Sequence, residues 1–255
     1  MGFFIFIGKR TIFYLREMGR MFLFLFRFIL SAVQPPYKIV RVVNEMHFIG
    51  VKSLFIIVLT SGFTGMVLGL QGYHTLRKFG SESALGSLVA LSLIRELGPV
   101  LGALMVTARA GSAMTAELGI MRISEQIDAL DVMTLDPIKF LVEPKMLAGI
   151  IVLPLLVAIF DVIGIYGGYL VGVKLLGINA ARYFDGMKES VEWRDIWSGA
   201  VKSLAFGLIV TWVSCYKGYN CGHGAKGVSD ATTEAVVLSA ILVLMWDYFL
   251  TSILL

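Results

Sequence analysis

The sequence predicts an all-α integral membrane protein, and its composition and apolar runs support that prediction. Of its 255 residues, 57% are hydrophobic and only 16% are charged, whereas about a quarter of residues are charged in soluble domains. Mean hydropathy is +0.82. A membrane-spanning helix needs roughly 20 mostly apolar residues. Five stretches meet this requirement, at residues 53–73, 83–108, 146–173, 196–216 and 236–255. We expect residues 1–255 to form one domain.

The N-terminal region, residues 1–47, is rich in phenylalanine but is repeatedly interrupted by cations. This pattern is typical of an amphipathic helix that lies in the headgroup plane with its cations among anionic lipids. A cleaved signal peptide and a sixth span are the alternatives, although the first apolar run is short for a signal peptide and no small-residue cleavage site follows a longer one. We expect Pro35 and Pro36 to end this helix, because proline lacks a backbone donor. The interrupting cations are Lys9, Arg10, Arg16, Arg20 and Arg27.

The distribution of Lys and Arg predicts the orientation of the chain, because cytoplasmic loops carry an excess of both. With a cytoplasmic N-terminus and five spans, the cytoplasmic segments hold fourteen Lys and Arg residues and the outer loops hold seven. The outer loop 174–202 is itself fairly basic. We therefore expect the C-terminus to lie outside.

Small residues recur every four positions along the spans. In lipid, apolar burial cannot drive helices together, and such ridges allow their backbones to approach closely. We expect extensive helix contact, within the chain or across a dimer. The ridges comprise Ser61, Gly65 and Gly69; Ala103, Thr107, Gly111 and Thr115; Gly164, Gly168 and Gly172; and Gly199, Ser203, Gly207, Thr211 and Cys215.

Four charged residues fall inside the spans, where charges are costly and are functional candidates: Arg95, Glu96, Asp161 and Asp247. Neighbours on a helix point about 100° apart, so Arg95 and Glu96 cannot pair along one helix face. Each needs a partner elsewhere or water. Two interpretations stay open: a polar patch in a substrate cavity, and buried ion pairs with another helix. Pro99 follows directly and predicts a bend in the second span.

The sequence offers little support for a catalytic or metal site. The three histidines are scattered, and the one at His223 in "CGHG" lacks a second pair of ligands. A Walker A motif is absent, so any ATP that the protein uses binds a different chain. We predict no catalytic residue, no metal or cofactor in this chain and no nucleic-acid partner.

Between the second and third spans, residues 117–137 hold five acids and one arginine. A helical wheel places their apolar and acidic residues on different faces, which predicts an amphipathic helix on the cytoplasmic side. Anionic lipid should repel its acids, so a protein partner fits better than the membrane surface. Such a helix is the kind of rigid lever that an ATPase can push. The apolar face comprises Ile120, Ile123, Ile127 and Leu130, and the acidic face comprises Glu117, Glu125 and Asp128.

Two blocks of sequence resemble a known family. Residues 92–137, "SLIRELGPVLGALMVTARAGSAMTAELGIMRISEQIDALDVMTLDP", look like the signature of the MlaE (YrbE) permeases of MCE-type lipid transporters. Residues 218–237, "GYNCGHGAKGVSDATTEAVV", resemble the loop before the last helix of that family. Together with the pattern of spans, the resemblance covers nearly the whole chain.

The resemblance implies a permease homodimer in the bacterial inner membrane, with a cytoplasmic N-terminus and a periplasmic C-terminus. It implies two cytoplasmic ABC ATPases similar to MlaF, which bind ATP and Mg, a small STAS-domain subunit similar to MlaB, and a periplasmic MCE-domain protein similar to MlaD. The implied substrate is a phospholipid moved between inner and outer membranes, which maintains outer-membrane lipid asymmetry. Plastid and actinobacterial relatives share the pattern, so another lipid is an alternative.

The resemblance also implies roles for residues. Arg95 and Glu96 resemble polar residues beside the lipid pocket at the dimer interface, and Asp247 occupies a matching acidic position. An ion-coupled carrier that uses Glu96, Asp161 and Asp247, and a non-transporting scaffold, are alternative functions, although inverted repeats are lacking. The lipid-pocket candidates are Leu70, Tyr73, Arg95, Glu96 and Asp247. The coupling-helix candidates for ATPase contact are Glu117, Met121, Glu125, Asp128 and Asp131.

Overall fold

The structure, a computed structural model, describes residues 2–33 and 38–254, and every regular element in these ranges is helical. This confirms the predicted all-α class. The two prolines expected to end the first helix lie outside the described residues. The α-helices are α1 Gly2–Val33, α2 Ile39–Ile49, α3 Leu54–Arg77, α4 Leu85–Ser92, α5 Gly98–Val106, α6 Ser112–Ile123, α7 Gln126–Val132, α8 Glu143–Tyr169, α9 Ala180–Ser190, α10 Trp193–Tyr219 and α11 Gly224–Leu254.

Five helical stretches are long and apolar enough to cross a membrane, and each covers one predicted span as far as the described residues extend. Short π-helical turns at Leu93–Leu97, Thr107–Gly111, Ile138–Val142 and Leu170–Leu175 lie within these stretches. The stretches are span 1, Ile39–Arg77; span 2, Glu82–Ile123; span 3, Ile138–Leu175; span 4, Trp193–Tyr219; and span 5, Gly224–Leu254.

The two ends of the bundle are distinguished by their loops. The segment 124–137 and the turn 220–223 meet at one end, where the Cys221 thiol lies 3.5 Å from the Gly119 carbonyl oxygen. We call this the 124–137 end. The opposite end, the 176–192 end, is covered by α9, whose Tyr183 is fully buried and donates to the Ile165 carbonyl at 3.1 Å. Burial raises the pKa of Tyr183.

The region 1–47, in which the sequence predicted an interfacial helix ending at Pro35 and Pro36, contains two helices among its described residues. The first, α1, packs one face on α10: the Trp212 indole N–H donates to the Met21 carbonyl at 3.0 Å, and Phe24 meets Tyr216 edge-on. The second, α2, is the first part of span 1 and continues into α3 through a 3₁₀ turn at Val51–Ser53. Residues 39–47 therefore belong to span 1 and not to α1.

The predicted glycine ridges are confirmed as sites of close helix contact. A Cβ added at Gly65 of α3 would lie 1.8 Å from the Gly164 carbonyl oxygen of α8, and one at Gly69 would lie 3.0 Å from that of Gly168. Likewise, a Cβ at Gly207 of α10 would lie 2.7 Å from the Gly149 carbonyl oxygen of α8. The backbones touch because these residues lack side chains, and α8 is consequently the central helix to which α3 and α10 attach.

The amphipathic helix predicted over residues 117–137 is wrong as one continuous element. Helix α6 ends at Ile123, Glu125 adopts a left-handed backbone with φ +58°, and α7 begins at Gln126. The reversal also breaks the predicted apolar face: Ile127 is fully buried, whereas Ile120 is 55% exposed. We call residues 117–137 the coupling segment. It is a helix, a tight turn and a second short helix.

Candidate functional site

A buried lysine, Lys202 of α10, is the centre of a group of charges inside the bundle. Its side chain is 1% exposed, and its ammonium lies 2.7 Å from a Glu96 carboxylate oxygen and 3.1 Å from one of Asp247. It also donates to the Thr251 hydroxyl at 2.7 Å. Three spans therefore meet at one ammonium group, because Glu96 belongs to span 2 and Asp247 and Thr251 belong to span 5. Two carboxylates offset the cost of burying this charge.

Pro99 supplies a backbone reason for the position of Lys202. Proline has no N–H, so the Arg95 carbonyl, four residues earlier, loses its regular helical partner. The Lys202 ammonium donates to this carbonyl oxygen at 2.9 Å. A π-helical turn, Leu93–Leu97, lies directly before Pro99, where the sequence predicted a bend. The irregular turn and the lysine together satisfy a polar group that would otherwise be unpaired in the bilayer.

The guanidinium of Arg95 points to the start of α10, toward the 176–192 end. Its Nε lies 2.7 Å from an Asp195 carboxylate oxygen. The other Asp195 oxygen accepts from the backbone N–H of Glu192 at 3.0 Å and completes a capping box with Glu192. Asp195 therefore caps the N-terminus of α10 and also binds the Arg95 guanidinium. We call Arg95, Glu96, Asp195, Lys202, Asp247 and Thr251 the Lys202 cluster.

The Lys202 cluster borders a small cavity of about 130 Å³. Glu96 and Arg95 remain partly accessible, with side chains 37% and 36% exposed, whereas Asp247 is 20% exposed. Of the two interpretations that the sequence left open, the structure supports buried ion pairs between helices, and three of the paired groups, Arg95, Glu96 and Asp195, also line a cavity. The cavity is lined by Arg95, Glu96, Glu192, Arg194, Asp195, Ser198 and Leu254.

The structure brings together three of the five lipid-pocket candidates, Arg95, Glu96 and Asp247, through Lys202. The other two lie on α3: Leu70 is 41% exposed and Tyr73 is buried, and neither lines the cavity beside Glu96. Their roles in lipid binding stay predictions.

Lys202, Asp195 and Thr251 were missed by sequence reasoning. In that reasoning Lys202 interrupted the apolar run 196–216 and was counted among the cations of the outer loop 174–202. A signal for it exists, because acids inside a bilayer pair with cations, and Lys202 is the one cation of residues 195–216. Asp161, the last of the four charges that the sequence singled out, lies against Gly98, and its Oδ1 has no hydrogen-bond partner among the described residues.

A second buried lysine, Lys145 at the start of α8, lies toward the 124–137 end. It is 2% exposed, and its ammonium lies 2.8 Å from carboxylate oxygens of both Glu45 on α2 and Glu117 on α6. Glu117, predicted as an ATPase contact, is therefore paired within the chain. The three groups join the beginning of the coupling segment to spans 1 and 3.

The remaining coupling candidates are placed differently. Asp128 forms an ion pair with Arg122 at 2.6 Å across the turn at Glu125. Glu125 and Asp131 are exposed, and Met121 is partly buried. Among the described residues, the segment thus presents unpaired carboxylates at Glu125 and Asp131 and a carboxylate paired within the segment at Asp128.

Comparison with known proteins decides the family. The family model of Permease MlaE matches residues 42–253. This range includes all six residues of the Lys202 cluster. This chain belongs to the MlaE permease family. The assignment confirms the resemblance read from residues 92–137 and 218–237.

Two named relatives match nearly the whole of this chain, and a third matches most of it. The intermembrane phospholipid transport system permease protein MlaE of Haemophilus influenzae is 44% identical over 248 residues, which cover 97% of this chain and 95% of that protein. A probable ABC transporter permease protein of Rickettsia conorii is 45% identical over 247 residues, with the same coverage. Protein TRIGALACTOSYLDIACYLGLYCEROL 1 of Arabidopsis thaliana chloroplasts is 36% identical over 209 residues, covering 82% of this chain and 60% of that protein. These matches favour a permease over the ion-coupled carrier and the scaffold.

Proposed function

We propose that this chain is the transmembrane subunit of an ABC transporter that moves phospholipids between the inner and outer membranes and so maintains outer-membrane lipid asymmetry. The observation that carries the proposal is the match along 97% of the chain to a relative named as an intermembrane phospholipid transport permease. The family match and the five spans support the same function.

The chain would work as a homodimer in the inner membrane with partner subunits. Two cytoplasmic ABC ATPases would bind ATP and Mg, since this sequence has no Walker A motif. A STAS-domain subunit and a periplasmic MCE-domain protein complete the proposed assembly. The names of the Rickettsia and Haemophilus relatives, an ABC transporter permease and a transport-system permease, support a multi-subunit machine.

We propose that the 124–137 end faces the cytoplasm, with the N-terminus cytoplasmic and the C-terminus periplasmic. The excess of Lys and Arg in α1 and in the segments at this end supports this orientation. In it, α1 lies in the cytoplasmic interface, with Arg16, Arg20 and Arg27 exposed beside its exposed apolar residues.

The proposed lipid site is completed by a second copy of the chain. Pockets for small ligands measure roughly 300 Å³ or more, and the cavity of about 130 Å³ beside Glu96 is too small for a phospholipid. Span 5 is the least buried of the five and exposes an apolar face toward a partner or lipid tails. A headgroup would lie near Arg95 and Glu96. The exposed apolar residues of span 5 include Val237, Ile241, Leu244, Tyr248 and Phe249.

Force from the ATPases would enter through the coupling segment. Its free carboxylates at Glu125 and Asp131 are placed to meet a cytoplasmic partner. The pairing of Lys145 with Glu117 and Glu45 ties the segment to spans 1 and 3, so a push on the segment would move the spans that enclose the lipid.

Mild purification from the native membrane tests the assembly, with mass spectrometry of the co-eluting chains and bound lipid. We expect an ABC ATPase, STAS-domain and MCE-domain chains and phospholipid. Reconstitution in vesicles should then give phospholipid transfer that depends on ATP. Transfer driven by a proton gradient without ATP would indicate a carrier, and stable partners without any transfer would indicate a scaffold.

A further inference from the structure

Two cations are stacked on the ring of Phe140, at the point where spans 1 and 3 begin. The Arg41 guanidinium carbon lies 3.4 Å and the Lys38 ammonium 3.8 Å from the ring centre. Arg41 also donates to the Phe140 carbonyl at 3.1 Å. The aromatic ring therefore orients both cations. A guanidinium carries five N–H groups and an ammonium three, and among the described residues these two side chains make one hydrogen bond, from Arg41 to the Phe140 carbonyl.

Two further cations, Arg27 of α1 and Lys139, line a cavity of about 330 Å³ next to this ring. Two carboxylates lie nearby, and each accepts a hydrogen bond from a neutral group. Asp136 accepts from the Ile138 backbone N–H at 2.9 Å. Glu143 is buried and accepts from the Ser31 hydroxyl at 2.7 Å.

The cavity itself is lined by two cations, Arg27 and Lys139, and one carboxylate, Asp136. Lys38 and Arg41 lie on the neighbouring Phe140 ring, so four cations and two carboxylates are gathered in this region. Partial burial, and then the neighbouring Arg41, hold the pKa of Lys38 below its usual value. An anion in the cavity would relieve this excess of positive charge.

The surroundings of the cavity indicate which anion fits. Leu30 of α1 is part of its wall, and Phe26, Leu23 and Ile29 continue an exposed apolar surface along the same helix. A molecule that carries both a phosphate and acyl chains matches the cations and this surface together. A free phosphate or an acidic protein loop would leave the apolar surface uncovered.

We propose that the cavity lined by Arg27 and Lys139 binds the headgroup phosphate of an anionic phospholipid of the cytoplasmic leaflet. The proposal rests on the orientation proposed above. The bound lipid is distinct from the transported one, because the Lys202 cluster lies toward the opposite end of the bundle. It would hold α1 against residues 136–143, at the end of the coupling segment.

The test uses the purified transporter in nanodiscs and two photoactivatable lipids with the same reactive group near the headgroup, phosphatidylglycerol and phosphatidylethanolamine. Labelled peptides are identified by mass spectrometry. Attraction to anionic lipid is worth roughly a 5-fold change in binding per cation. Peptides containing residues 27 and 139 should therefore be labelled several-fold more strongly by phosphatidylglycerol. This preference should fall in Arg27→Gln and vanish in Arg27→Gln/Lys139→Gln.

The matched control is Arg16→Gln/Lys226→Gln, which removes two exposed cations on the same proposed side and should keep the preference. Because Arg27 is exposed, Arg27→Gln should fold normally, so a loss of preference in this variant would not be due to misfolding. Equal labelling by both lipids, or an equal loss in the control, would overturn the proposal. Competition by inorganic phosphate would assign the cavity to a free anion, and loss of label on ATPase binding would assign it to a protein acid; either result also overturns it. Lipid transfer is not the readout, so this proposal and the proposed function can fail separately.

Discussion

Replacing Lys202 alone should destabilise the bundle more than neutralising Lys202, Glu96 and Asp247 together. Lys202→Met leaves the Glu96 and Asp247 carboxylates without their cation and the Arg95 carbonyl without its donor. Breaking a buried pair from one side costs about 3–5 kcal/mol, and the partial exposure of Glu96 favours the lower figure. A loss of about 3 kcal/mol lowers the Tm of a chain of this size by roughly 6–12 °C, measurable by thermal unfolding in detergent.

The matched variant is Glu96→Gln/Lys202→Met/Asp247→Asn, which replaces the charges by neutral groups of similar size. Replacing a whole buried ion pair is often close to neutral, so this variant should recover at least half of the lost Tm. Equal losses in the single and triple variants would show that Lys202 stabilises by packing and not by charge.

The sequence predicts half of this site and misses the other half for a physical reason. Arg95, Glu96 and Asp247 stand out because any charge in a bilayer is costly. Their partners lie about 45 to 155 residues away along the chain. The periodicity of one helix carries no information about which face of another helix it contacts. Pro99 predicted only a bend, although its missing N–H also leaves the Arg95 carbonyl to be satisfied by another donor, here Lys202.

At the scale of the helices, adding one methyl group at Gly65 should separate α3 from α8. In Gly65→Ala the new Cβ would lie 1.8 Å from the Gly164 carbonyl oxygen, so the backbones must move apart. Overpacking of this kind costs about 1–3 kcal/mol. Gly62→Ala is the control on the same helix, because its Cβ would meet only a side-chain atom of Ile163 at 3.9 Å. Thermal unfolding should show a lower Tm for Gly65→Ala alone. A similar Tm for both variants would contradict the predicted contact.

The spans were predictable and the coupling segment was only partly so. Hydropathy identifies spans because length and apolar composition are what the bilayer demands. The helical wheel assumed an unbroken helix through residues 117–137, and that assumption failed at Glu125, a non-glycine residue with a left-handed backbone. Such residues are uncommon, and no glycine or proline marks the turn in the sequence. The concentration of acids was nevertheless a correct signal that this segment differs from the spans.

At the scale of the whole molecule, one buried lysine joins three spans toward each end of the bundle. Lys202 joins spans 2, 4 and 5 toward the 176–192 end, and Lys145 joins spans 1, 2 and 3 toward the 124–137 end. Span 2 contributes an acid to both, Glu96 to one and Glu117 to the other. A displacement of the coupling segment would therefore be transmitted along span 2, through its π-helical turns, toward the cavity beside Glu96.

Reversing the free carboxylates of the coupling segment should release the proposed ATPase while leaving the permease folded. Glu125→Lys/Asp131→Lys changes two exposed groups. Glu117 and Asp128 are left unchanged because they pair with Lys145 and Arg122, and reversing their charges would lower the stability of the permease itself. Like charges at an interface are costly, and we expect the co-purified ATPase to fall by about tenfold, which corresponds to about 1.4 kcal/mol. The control, Asp185→Lys/Glu189→Lys, reverses two exposed acids of α9 at the 176–192 end. Stoichiometric ATPase in the first variant, or equal loss in both, would exclude these carboxylates from the contact.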